Sequence, residues 1–311
     1  MSTSDRGDAG MISVAICTRN RPEQLARALR SIREQQVPPG EVLVVDNAPA
    51  DDLTRRTVED GFPNVRYVLE EVPGLDFARN RALAEAAGEV VAFLDDDAVA
   101  APDWTAEMAA VFREGARIAI CTGRVDALAL ETEGQRLFEA NGGFARGDRR
   151  IHLPADRGRI PLIAWSIGIG SGCSLAVRRD TILKLGGFDE ALDMGPALPG
   201  GGDLDILWRV LDAGLEVVYA PTVRALHEHR RDADAAVAQI VEHNRSLIAV
   251  LTKALWSAPS TGHATIVAFL LWRLAKPGLR LAKRAAGRDP LPASALLRLW
   301  WGCWRGLGTY P

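Results

Sequence analysis

The sequence predicts an α/β fold: an open sheet flanked by helices, with a helical tail appended at its C-terminus. Three observations carry this expectation. Near the N-terminus a strand, a helix and a second strand follow one another within about thirty-five residues, the length of a parallel crossover unit. The run Val90 to Leu94 reads as a strand buried on both faces and is followed at once by Asp95, Asp96 and Asp97. Beyond Leu251 the composition changes to Trp, Leu, Lys and Arg broken by prolines.

Length and charge bound the reading. The chain has 311 residues and a formal net charge of −3, long enough for one large α/β domain with an appendage, or for two small domains. The charge is unevenly placed. From Leu251 onward nine basic residues face Asp289 alone, a net +8 that leaves −11 for the rest. An acidic body with a basic tail rich in Leu and Trp favours a membrane surface over a nucleic-acid groove. Cys17, Cys121, Cys173 and Cys303 are far apart, without a CxxC pair, so reduced buried thiols are expected instead of zinc or disulfides. Asp5 and Asp8 precede any apolar run, which does not match a signal peptide. The longest apolar run of the tail, Ile266 to Trp272, is too short to span a bilayer.

Taken in order, residues 1–10 are small and polar and are expected to be disordered. Ile12 to Cys17 reads as a buried strand, and Thr18-Arg19-Asn20-Arg21-Pro22 as the turn into a helix with Leu25, Ala28, Leu29 and Ile32 on one face. Val42 to Val45 is the second strand and ends in Asp46-Asn47. Val65 to Val68 is the third, leading through Pro73-Gly74 to a helix that bears Arg79 and Asn80. Residues 124–165 read as a long loop or small excursion. Gly168 to Gly172 precedes a strand from Ser174 to Val177, Asp180 caps a short helix, and Gly200-Gly201-Gly202 opens a helix carrying Asp203 and Asp205. Val217 to Ala220 is a further strand with His227 and His229 after its exit, and Asp234 to Leu251 is an amphipathic helix.

In open α/β sheets ligands bind outside the carboxyl ends of the strands, so Thr18, Asp46 and the three aspartates border one crevice. Three adjacent carboxylates repel one another unless a cation or solvent relieves them. Oxygen ligands favour a hard ion, Mg²⁺ or Mn²⁺. A solvated acidic turn capping the next helix is the ordinary alternative. Asp203 and Asp205 have one too, as first-turn residues that complement a helix dipole.

Seven motifs in order and spacing resemble the family 2 glycosyltransferases over about residues 11–230: Cys17 to Arg21, Val44 to Asn47, Ala78-Arg79-Asn80, Phe93 to Asp97, Gly186 to Asp189, Gly202 to Asp205, and the His227 region. The resemblance implies an inverting enzyme with a GT-A-type Rossmann-like mixed sheet. It implies a glycosyltransferase domain over 11–232, with a nucleotide-binding half (11–123) and an acceptor-binding half (124–232); pattern and composition, not the resemblance, make 233–311 a helical C-terminal region. Asp95 and Asp97 match the DxD motif. The implied metal set is Asp97, Asp95 and His227, and the implied substrate and nucleotide set is Thr18, Arg19, Asp46, Arg79, Asp95, Asp96 and Asp205. Asp203 matches the family's general base, with Asp205 as fallback. Gly202 stands where a glutamate is common, and Cys173 where similar enzymes often carry Asn.

The resemblance implies a nucleotide-sugar donor, UDP-sugar first, and a glycan or lipid-linked acceptor as partners; the composition of the tail adds an anionic membrane surface, with a homodimer allowed and no nucleic acid. The N-terminal sequence makes the cytoplasm the expected location, and the basic tail makes it peripheral at the inner face of the cell membrane. Two other readings compete: a nucleotidyltransferase, which usually shows a glycine-rich phosphate loop that Thr18 to Pro22 lacks, and a catalytically silent nucleotide-sugar-binding subunit.

Overall fold

A computed structural model describes residues 11–193, 198, 200–257 and 260–311; the expected disordered lead lies outside them. The chain divides into two compact units. The first gathers Met1–Leu128, Phe144–Asp189 and Ile206–Glu228, and the second Ala129–Gly143, Glu190–Asp205 and His229–Pro311.

The first unit is built on one mixed sheet. Strands β1 (Ile12–Thr18), β2 (Glu41–Asn47), β3 (Val65–Glu70) and β4 (Val90–Leu94) alternate with helices α1 (Pro22–Arg33), α2 (Leu53–Gly61) and α3 (Leu75–Glu85). They lie parallel in the order β3-β2-β1-β4. Strand β8 (Ser174–Arg178) runs antiparallel between β4 and β6 (Ile118–Ala127), and β9 (Glu216–His227) and β5 (Ala98–Ala100) complete the far edge. A short strand β7 (Ile151–Leu153) pairs antiparallel with the first half of β9. This is the mixed α/β sheet that the motifs implied.

Strand periodicity explains the two layers. Val14 and Ile16 point to one face, where Leu25, Leu29 and Ile32 of α1 meet Trp104, Met108 and Phe112 of α4 (Trp104–Arg113). Ala15, Leu43 and Val45 point to the other, against Ala78, Ala82 and Leu83 of α3 and Ile182 of α7 (Arg179–Lys184). All five residues of β4 are buried, as the unbroken apolar run predicted.

Several elements differ from the sequence reading. Residues 124–165 are not a bare loop. Strand β6 continues to Ala127, α5 (Glu133–Ala140) is opened by a capping box between Thr132 and Gln135, and β7 and α6 (Leu162–Trp165) follow. The strand expected at Val217 to Ala220 is much longer. It passes Pro221 because its pairing with β6 skips from Ala220 to Arg224, leaving a bulge where proline's missing N–H is harmless. Gly123 faces that bulge, and a Cβ there would collide with the Val223 carbonyl oxygen. Arg178, not Asp180, holds the N-cap position of α7; Asp180 sits in its first turn.

In the second unit, α9 (Ala233–Ser257), α10 (Ser260–Ala285) and α11 (Ala293–Gly306) follow one another. A tail whose composition is broken by prolines reads as short helices. Instead α10 runs through Pro277 without a break, tertiary packing overriding proline's low helix propensity. Leu192, Leu198, Ala249 and Val250 form an apolar cluster of this unit. Helix α8 (Gly202–Asp212) opens after Gly200 and Gly201, both at positive φ.

Candidate active site

Parallel registry places the first candidates together. Thr18 is the register partner of Asp46 at the carboxyl ends of β1 and β2, and Asp95 leaves the end of β4 beside them in the sheet. The tight turn after β4 leads into β5, whose Ala98 pairs with His227. That pairing sets His227 beside Asp97, and the Glu228 amide donates to the Asp97 carbonyl oxygen at 3.0 Å.

The aspartates sit in distinct environments. Asp96 is buried and accepts from Thr18 Oγ1 at 2.7 Å and from Arg21 Nη1 at 3.0 Å. Asp97 takes Arg21 Nη1 on Oδ2 at 3.1 Å and lies 3.2 Å from His227 Nε2 through Oδ1. The Phe144 ring stands edge-on to the His227 ring at 5.0 Å, fixing its plane. The Asp95 amide donates to the Cys173 carbonyl oxygen at 3.2 Å. Burial, then the neighbouring charge of Asp97, pushes the Asp95 carboxyl up to about 6, against the pull of Arg79 and His227. Burial also raises Asp96, with Arg21 opposing.

Asp46 is fully buried. Tyr67 donates its hydroxyl to Asp46 Oδ2 at 2.8 Å, while Oδ1 is buried without a hydrogen-bond partner. Burial raises this carboxyl above its usual range. The Arg55 guanidinium lies 4.9 Å over the Tyr67 ring. Arg79 is buried, bonds Asp76 at 3.2 Å and stacks on Phe188 at 5.3 Å. Arg19 is exposed in the β1–α1 turn.

Thr18, Arg79, Asp95, Asp96, Asp97 and His227 therefore converge, with Asp46 on the same sheet edge. Asp203 and Asp205 belong to the second unit. There Asp203 Oδ1 accepts from the Leu204 amide at 2.9 Å, and the buried Asp205 pairs with Lys253 Nζ at 2.7 Å. Three contributors escaped the sequence reading as site residues: Arg21, Tyr67 and Cys173. Arg21 was visible in the turn after β1, but nothing in the pattern shows it bridging two aspartates.

The donor set fits a divalent cation. One ligand atom each from Asp95, Cys173 and His227 lie within 4.8 Å of one another. Asp97, expected in the set, is not one of those three, but its Oδ1 lies 3.2 Å from His227 Nε2; the two aspartate carboxylates suit Mn²⁺ or Mg²⁺, and the imidazole is the softer donor beside them. Cys173 is a poor ligand as it stands, because burial, then the charges of Asp95 and Asp97, holds its thiol well above the usual range and so protonated.

Comparison with known proteins bears on the fold and on the family. A solved mannosyltransferase, PcManGT from Pyrobaculum calidifontis in complex with GDP-Man and Mn²⁺, superposes with a TM-score of 0.58 at 23% identity, covering 96% of this chain and 84% of that one. GalNAc-T7 with UDP, GalNAc and Mn²⁺ gives 0.54 at 16% identity over 78% of this chain and 47% of that one. These likenesses show the fold, the GT-A type. The succinoglycan biosynthesis protein ExoM of Rhizobium meliloti is 29% identical over 267 residues, 83% of this chain and 75% of that protein. The pre-mycofactocin glycosyltransferase of Mycobacterium tuberculosis is 26% identical over 227 residues, 70% of this chain. The chain matches only 43% of the length of that relative. Residues 13–186, more than half of the chain and the stretch that holds Thr18, Asp46, Arg79 and the three aspartates, match the model of Glycosyl transferase family 2, and the chain belongs to that family.

Proposed function

We propose that this chain is an inverting glycosyltransferase that moves a sugar from a nucleoside diphosphate donor, a UDP-sugar first, to a glycan or lipid-linked acceptor at a membrane surface. The observation that carries the reading is the convergence of Thr18, Asp95, Asp96, Asp97 and His227 at the carboxyl edge of the sheet.

Each residue has a part. Asp46 Oδ1 is a buried acceptor without a donor of its own, suited to an N–H of the nucleotide base. Arg79 supplies positive charge near Asp95. Asp95, Asp97 and His227 would hold a divalent cation, and that cation supplies charge neutralisation for the departing diphosphate. Arg21 and Thr18 keep Asp96 anchored, so that the acidic turn holds one shape. Asp203 is the proposed general base, on its match to the family's motif alone: it takes the acceptor hydroxyl proton as that oxygen attacks the anomeric carbon, and a single displacement inverts the configuration.

A thermal-shift panel of UDP, GDP, dTDP and CMP, each with Mn²⁺, Mg²⁺ or EDTA, tests the donor side. At a hundredfold over its Kd a nucleotide adds about 2.7 kcal/mol. A shift for one nucleoside diphosphate, abolished by EDTA, is expected; a folded protein that shifts with none of them overturns the reading.

A further inference from the structure

We propose that α10 and α11 form one apolar plate with basic rims that seats on an anionic lipid bilayer, lying on it and not crossing it. This deepens the membrane partner in the function proposed above, and it stands on a part of the chain that holds none of the converging site residues.

Each helix is apolar on two sides. On α10, Ile266, Leu270 and Leu274 are buried at four-residue spacing, while Leu271, Trp272 and Leu279 stand 60%, 47% and 59% exposed. On α11, Leu296, Leu299 and Cys303 are buried, while Leu297, Trp301 and Trp304 are 54%, 67% and 50% exposed. A surface helix normally turns charged or polar residues outward, so a second apolar stripe is a surface waiting for cover.

The two stripes share one side of the unit. A Cβ on Gly278 would meet the Trp300 ring at 3.5 Å. Gly278 and Trp300 lie equally far from the connecting segment 286–292, one before it and one after, so the helices pair antiparallel. In an antiparallel pair, residues displaced from the contact in the same rotational sense emerge on the same side. Leu271, Trp272 and Leu279 therefore join Leu297, Trp301 and Trp304 in one face. Continuing that rotation brings Lys276 and Lys283 to one outer rim and Arg298 and Arg305 to the other. Lys276 Nζ sits 5.1 Å over the Trp272 ring, and Arg298 also reaches Asp234 at 3.4 Å.

Charge selects the occupant. Between Ser260 and Gly306 the sole acidic residue is Asp289, which is buried and held by Arg280 at 2.7 Å. The plate thus presents Trp, Leu and cations with no exposed carboxylate of its own helices, the composition that settles at an anionic headgroup boundary. Burial and then Arg273, Arg280 and Lys283 lower Lys276 to about 8, a penalty that anionic headgroups would relieve. A second copy is disfavoured, since apposed plates would face like-charged rims. No described helix is long and apolar enough to cross a membrane.

The test is flotation of the full chain with vesicles of phosphatidylcholine alone, or with about one-third phosphatidylglycerol. The wild type should float with the anionic vesicles and be released by salt. Leu279→Glu/Trp301→Glu and, separately, Lys283→Glu/Arg305→Glu should bind about tenfold less, with unchanged circular dichroism; the second pair alters only exposed side chains and covers a folding failure of the first. Absence of wild-type binding, equal binding to neutral vesicles, or undiminished binding by both variants overturns the proposal. So does a wild-type dimer that Leu279→Glu/Trp301→Glu makes monomeric without any vesicle binding, which would give the plate to a second copy. The nucleotide-induced thermal shift is read in the same samples. Lost flotation with a retained shift sinks the plate alone, and retained flotation without a shift sinks the sugar-transfer reading alone.

Discussion

Asp97 is held from two sides, by Arg21 at 3.1 Å and by His227 at 3.2 Å, so its carboxylate is oriented before any ligand arrives. Such pre-positioning avoids reorganisation during the reaction. Asp46 is arranged differently: one oxygen satisfied by Tyr67 and one kept open, an acceptor whose cost of burial a nucleotide base would offset. The general base is the residue whose removal separates binding from chemistry. Asp203→Asn should lower kcat by about 10²- to 10⁴-fold and leave the nucleotide-induced thermal shift intact. Turnover at the wild-type rate with normal donor binding would remove Asp203 from the mechanism and leave Asp205 as the alternative. Lys253 already engages Asp205, which favours a structural part for that residue.

Among the elements, the parallel strands and the acidic turn were legible because one side of a buried strand reports on its neighbours: an unbroken apolar run has only one place to go. Thr18, Asp46 and Asp95 could be put on one edge by connection rules alone. Other features were hidden. Helix α5 was announced by Thr132 and Gln135, yet its short apolar pattern gave way to the surrounding Gly and Arg. The length of β9 was masked by Pro221, which looks like a strand breaker until the bulge opposite Gly123 is known. The link from His227 to Asp97 depends on pairing between residues 98 and 227, and no local pattern encodes a contact so distant in sequence. Helix α10 offers a test through Lys276, whose folded-state pKa of about 8 lies below its ordinary 10.5. Between these values the unfolded chain holds the proton that the folded chain has lost, so this residue makes stability rise with pH across that window and costs most below it. Lys276→Gln should flatten the rise between pH 8 and 10.5 and stabilise the protein at neutral pH; urea titrations at a series of pH values would reveal it, and identical profiles for the two proteins would refute it.

For the whole molecule, the proposed donor-site residues Thr18, Asp46, Asp95 to Asp97 and His227 belong to the first unit, and α10 and α11 to the second. Hydrogen exchange can map both. A nucleoside diphosphate with Mn²⁺ should slow exchange around Thr18, Asp46, Asp95 to Asp97 and His227 and leave α10 and α11 unchanged. Anionic vesicles should slow exchange in α10 and α11. Protection of α10 and α11 by nucleotide alone would show that the tail belongs to the donor site instead.

Strand β9 carries His227 at its last position, and it lies between β6 and β5 in the finished sheet. It is also the last of the described strands to leave the ribosome. The acidic turn is synthesised more than a hundred residues ahead of its imidazole partner, and long-range strand pairing is slow because loop closure must precede any gain from contact. Assembly of the centre is thereby tied to completion of the sheet: a nascent chain that has made only β1 to β8 carries every aspartate of the turn and still lacks the residue that closes the set.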